Sequence, residues 1–72
     1  AVLRTDYAGH TAVIHCRSGM AQAVAVALDS VKREGVVGTI AGDDTVFVLL
    51  RTETLAREFA LFFGSSAGKG GF

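Results

Sequence analysis

The sequence holds no proline and no tryptophan, a single cysteine, and no excess of charge of either sign. Each shortage excludes something. Seven basic residues balance seven acidic ones for a formal charge of zero, so the chain lacks the clustered positive field that a phosphate backbone requires. It is not itself a DNA binder. Cys16, the sole cysteine, cannot form an intramolecular disulfide, and no Cys/His spacing matches a zinc site. A reducing cytosol is the expected compartment. No signal peptide is visible and no apolar run approaches ~18 residues, so the sequence supports neither secretion nor a membrane span.

What is present is apolar. A chain of 72 residues allows one domain with a thin core, burying roughly 60% of the surface its unfolded form exposes. Yet half of the residues are hydrophobic and 19% are charged, which is more apolar than the buried volume of so small a monomer requires. Association is the natural use of the excess.

Taken in order, residues 1–7 read as a strand, residues 8–11 as a turn built on Gly9, and residues 12–16 as a second strand rich in β-branched side chains. A helix then runs from Ser18-Gly19 to about Arg33, its core face marked by Met20, Val24, Ala27, Leu28 and Val31, with Gly35 placed to end it. A second hairpin follows, turning at Gly42. Thr52 caps a last helix whose apolar stripe is Leu55, Phe59, Phe62 and Phe63 and whose stop is Gly64. The order ββαββα predicts an α+β fold, a two-layer sandwich with a four-stranded, mainly antiparallel sheet and both helices on one face. Residues 1–63 form the domain, and residues 64–72, of linker composition, are expected to be a flexible tail. The tail's Gly-Lys pair is no nucleotide loop, because it lacks the preceding strand, the spaced first glycine and the following helix. In residues 46–50 both alternating sets are apolar, Val46, Val48 and Leu50 against Phe47 and Leu49. A sheet with one wet face should alternate with polar residues, so something is expected to cover the second face.

The stretch most loaded with chemistry is residues 38–45, Gly-Thr-Ile-Ala-Gly-Asp-Asp-Thr. Gly42 can supply a strained or left-handed backbone for a reversal, and Asp tolerates such positions. Asp43 and Asp44 thus ride on a hairpin tip, and spacing alone leaves them either as turn residues facing water or as ligand groups. On the first helix Gln22 and Asp29 are two turns apart and share an outward stripe with Val26. The alanines around them make bulk water an uneasy neighbour for that face, and an interface the better reading.

Residues 38–44, followed by Thr-Val-Phe-Val, closely resemble the signature of the C-terminal domain of bacterial arginine repressors. The resemblance extends upstream through Gly19-Met20-Ala21-Gln22, Leu28-Asp29-Ser30 and Val36-Val37-Gly38, and covers most of residues 2–63. It departs at Ser18, where many family members have proline, in the loop at residues 8–10, and after Gly64. Serine is itself a good helix N-cap, so the first departure should matter little. The resemblance implies a trimer through this domain and a hexamer from two stacked trimers. It also implies an L-arginine pocket between trimers, with Gln22, Asp29, Asp43 and Asp44 at matching positions and the backbone from Thr39 to Ala41 lining it. No cofactor other than this co-repressor ligand is implied. In the family an N-terminal winged-helix domain binds the operator and represses arginine biosynthesis; that domain is absent from this chain, which begins inside a strand as a fragment would.

The chemistry agrees with the resemblance. A guanidinium is planar, permanently charged and offers five donors in a fork that matches carboxylate oxygens. Adjacent residues of an extended backbone point to opposite sides, so Asp43 and Asp44 can serve two different sites or two subunits. Carboxylates gathered at an empty interface repel one another, and a bound cation removes the repulsion, which links ligand to assembly. Gly-Asp-Asp on a hairpin also resembles the metal-binding tip of viral polymerases, but the chain is far too short for one. His10 and His15 have no accompanying nucleophile motif that would make a hydrolase, so no enzyme is expected. The remaining alternative is a purely structural oligomerisation module, whose assembly would ignore arginine.

Overall fold

The computed structural model describes residues 2–30 and 34–68, with residues 65–68 described as backbone alone. Two hairpins alternate with two helices: β1 (Val2–Ala8), β2 (Thr11–Cys16), α1 (Ala21–Ser30), β3 (Val36–Ala41), β4 (Thr45–Leu50) and α2 (Glu53–Gly68). The sheet order is β1-β2-β4-β3, and every neighbouring pair is antiparallel. α1 therefore carries the chain past the place of β4 to the far edge, and the β3–β4 hairpin folds back to fill the gap. Among the described residues both edges of the sheet, β1 and β3, lack a further strand.

Strand register sorts the side chains into two faces. One face carries the rows Thr5, Ile14, Val46, Ala41 and Tyr7, Ala12, Val48, Thr39, which lie under the helices. Ile14, Val46 and Val48 there are fully buried, each such side chain contributing about 1.5–3 kcal/mol by leaving water. α2 lies mainly over β1, and α1 over β3 and β4. The opposite face carries the rows Arg4, His15, Thr45, then Asp6, Val13, Phe47, Ile40, then Ala8, Thr11, Leu49, Gly38. Nothing among the described residues covers it. Phe47 remains 50% exposed, Leu49 46% and Ile40 71%, as the double apolar alternation of β4 foretells, and shallow depressions of about 390 and 360 Å³ floored by Ile40 and Phe47 lie along it.

Both helices correct the sequence reading in part. α1 begins at Ala21 rather than Ser18 and buries Ala21, Val24, Ala25 and Leu28, while Met20 stands outside it, exposed. The expected continuation through residues 31–33 lies outside the described residues. In α2, Thr52 Oγ1 accepts a hydrogen bond from the Leu55 N–H at 3.1 Å, the N-cap geometry expected. Its buried stripe is Ala56, Phe59, Ala60 and Phe63; Phe62 is half exposed and meets Phe63 edge-on at 5.0 Å.

Gly64 does not stop α2, which continues to Gly68. Its lack of a side chain serves a close approach instead. A Cβ at this position would lie 2.6 Å from the Thr5 hydroxyl, which donates to the Ala60 carbonyl at 2.7 Å and ties β1 to α2. Gly64→Ala is therefore expected to destabilise the fold by about 1–3 kcal/mol through overpacking, and Thr5→Ala in the same chain to recover part of the loss. Urea unfolding checks this: a helix-interior glycine free of contacts would instead stabilise on going to alanine, by about 0.5–1 kcal/mol.

Candidate ligand site at the hairpin tip

The site begins with how residues 42–44 are held. The reversal closes through the Gly42 N–H, which donates to the Thr45 carbonyl at 2.8 Å. Of the two options open to Gly42, it does not take the left-handed one; among the described residues the glycines with positive φ are Gly9, Gly19 and Gly35. The tip then docks on the loop that follows β2. Cys16 N–H donates to the Asp44 carbonyl at 2.8 Å, while Gly19 and Ala21 N–H both donate to the Asp43 carbonyl, at 3.0 and 3.2 Å. Ala21 is the first residue of α1, so Asp43 satisfies a donor that the helix start would leave orphaned. Gly19, at φ 80°, turns the loop so that the two donors converge on one oxygen.

The two carboxylates have different partners. Asp43 Oδ2 accepts from the Ser18 hydroxyl at 2.7 Å, and Asp44 Oδ1 from the Thr45 hydroxyl at 2.9 Å. Ser18 is thus no N-cap: its hydroxyl goes to the tip, and a tight turn from the Arg17 carbonyl to the Met20 N–H precedes the helix. Gln22 reaches the same place from α1, its Nε2 3.5 Å from the Ala41 carbonyl on β3. β3 is an edge strand, so among the described residues part of its backbone between Thr39 and Ala41 has no strand partner and is open to a ligand or a neighbour. Thr39 and Ala41 themselves are half-buried on the helix side of the sheet.

The structure therefore brings Gln22, Ala41, Asp43 and Asp44 to one end of the molecule, with Thr39 two residues behind. Asp29 is different. It is exposed on the Gln22 side of α1, about 10 Å further along the helix axis at ~1.5 Å per residue, and among the described residues no hydrogen bond joins it to the tip. Ser18 is the contributor that sequence reasoning missed. No periodicity or motif connects it with a residue 25 positions away.

Electrostatically the tip is acidic and wet, with Asp43 and Asp44 both exposed. Its charge is felt inside. Burial, and then the Asp44 and Asp43 carboxylates, push the Cys16 thiol above its ordinary range, which keeps it a neutral, unreactive core group. Among the described residues no group of three or more His, Cys, Asp or Glu side chains could hold a metal ion, and no helix is long and apolar enough to cross a membrane.

The family model for the arginine repressor C-terminal domain matches residues 1–63. This chain belongs to that family. Curated relatives named arginine repressor include one from Alkaliphilus oremlandii, 52% identical over 72% of this chain and 35% of the relative. Another, from Aeromonas hydrophila, is 48% identical over 83% of the chain and 39% of the relative; a third, from Alkaliphilus metalliredigens, is 47% identical over 79% and 38%. The chain thus spans less than two fifths of the length of these relatives. The relatives are named for repression, not for catalysis, and the match spans both hairpins, both helix starts and the acidic tip of the arginine repressor domain.

Proposed function

We propose that this domain is the arginine-sensing and oligomerising part of a transcriptional regulator of arginine metabolism in the cytosol. It binds L-arginine between trimers and couples that binding to hexamer assembly and to operator binding by an N-terminal winged-helix domain outside this chain. The observation that carries the reading is the tip: two adjacent exposed carboxylates, fixed on separate partners, with an amide from α1 and an edge-strand backbone beside them. Such a set offers acceptors on more than one side, as a guanidinium or an α-ammonium group demands. Asp29, two turns along α1 from Gln22, reaches a ligand only if that ligand or a neighbouring subunit extends along the helix. The bare sheet face, with Phe47, Ile40 and Leu49 half or more exposed, supplies the apolar surface that trimer formation uses. The relatives' name, arginine repressor, supports both the ligand and the outcome.

A calorimetric titration with L-arginine, controlled by citrulline, tests the proposal. Citrulline keeps the shape and removes the guanidinium charge. Saturable heat from arginine alone is the expected result; equal heats from both, or none from arginine, contradict it.

A further inference from the structure

Asp43 is clamped twice by one loop. Its carbonyl receives the Gly19 and Ala21 N–H groups at 3.0 and 3.2 Å, and its carboxylate receives the Ser18 hydroxyl at 2.7 Å. The two backbone bonds fix where Ser18 stands relative to Asp43, and the hydroxyl then fixes which way the Asp43 side chain points. An exposed carboxylate left to itself samples several rotamers. Among the described residues Oδ2 receives the Ser18 hydroxyl and Oδ1 receives no donor, with lone pairs remaining on both oxygens for further donors.

We infer that Ser18 is a positioning residue for ligand binding: its hydroxyl sets the Asp43 carboxylate in the orientation in which Oδ1 receives the cationic group of the ligand. This rests on the reading of the tip as an arginine site. Ser18 touches no ligand; it acts through Asp43 by removing, before binding, the rotamer freedom that binding would otherwise have to freeze. Losing one hydrogen bond of this kind corresponds to an affinity about three- to tenfold weaker. Ser18 is exposed and contributes nothing to the core, so its effect on folding is small.

The test is a titration of the chain and four variants with L-arginine: Ser18→Ala, Ser18→Thr, Asp43→Ala, and Ser18→Ala combined with Asp43→Ala. Ser18→Ala is expected to weaken binding about three- to tenfold, and Ser18→Thr, which keeps the hydroxyl, to stay within about twofold of the original chain. In the Asp43→Ala background the Ser18→Ala change should cost nothing further, because the group it orients is gone. Arginine binding that is unchanged by Ser18→Ala, or weakened equally in both backgrounds, overturns the inference and leaves the site intact. Absence of arginine binding by the original chain overturns the site and the inference together.

Discussion

Asp44→Asn is expected to weaken L-arginine binding by about tenfold or more, equivalent to at least ~1.4 kcal/mol, with the domain still folded. The substitution keeps size and shape and removes the charge, so the loss reads the ion pair. Truncating one partner of a desolvated charge pair costs about 2–5 kcal/mol, and the exposure of Asp44 in the single chain brings the expectation toward the lower end. Stability should change little, by about 0.5 kcal/mol or less, because the fold uses the Asp44 carbonyl, which accepts from Cys16 N–H at 2.8 Å, and not its carboxylate. The Thr45 hydroxyl, which donates to Oδ1, can donate to the amide oxygen equally well. Calorimetry gives the affinity and urea unfolding the stability. Unchanged affinity would remove Asp44 from the site.

Phe47→Asp should have the larger effect on assembly. Phe47 stands in the middle of the row Asp6, Val13, Phe47, Ile40 on the uncovered face, half exposed in the single chain. In the proposed trimer it leaves water, a gain of about 1.5–3 kcal/mol for each ring buried. An aspartate there forfeits that gain and adds the cost of desolvating a carboxylate, several kcal/mol more. Association should weaken by at least about a hundredfold, since every ~1.4 kcal/mol is tenfold, and the variant should sediment as a monomer at concentrations where the original chain is associated. The same carboxylate faces water in the monomer, so the helix-side core of Ile14, Val46 and Val48 is untouched. A Phe47→Asp chain that assembles normally would place the interface on another face.

The architecture was legible because local signals and burial agree. The β-branched run of β2 and the apolar run of β4 both form central strands, and both apolar sets of β4 announced a sheet face in need of cover, which the register then assigns to Phe47 and Leu49. The cap at Thr52 was equally plain. The errors share one physical cause, a partner distant in sequence. α1 starts two residues later than serine capping suggests because Ser18 turns to Asp43 and the Asp43 carbonyl takes over the helix start. That displacement leaves Met20 outside the helix and gives Ala21 the buried position. Gly64 looked like a helix stop, and its actual role, admitting Thr5 against α2, depends on a strand at the other end of the chain. At the site, composition and spacing placed Gln22, Asp43 and Asp44 correctly as outward polar groups. They could not show that Gln22 meets the β3 backbone at Ala41 while Asp29 stands two turns off, since that depends on how α1 lies across the sheet edge.

In the proposed sensor, arginine and assembly are linked through the acidic tip. Sedimentation velocity tests it most directly, run on the chain at a concentration where it is partly associated, with no ligand, with L-arginine and with citrulline. Mass action requires a ligand bound by the assembled form to shift the distribution toward that form, so arginine should move the chain to larger species and citrulline should leave it unchanged. A distribution indifferent to arginine at saturating concentration would contradict the linkage and leave a domain that assembles without sensing.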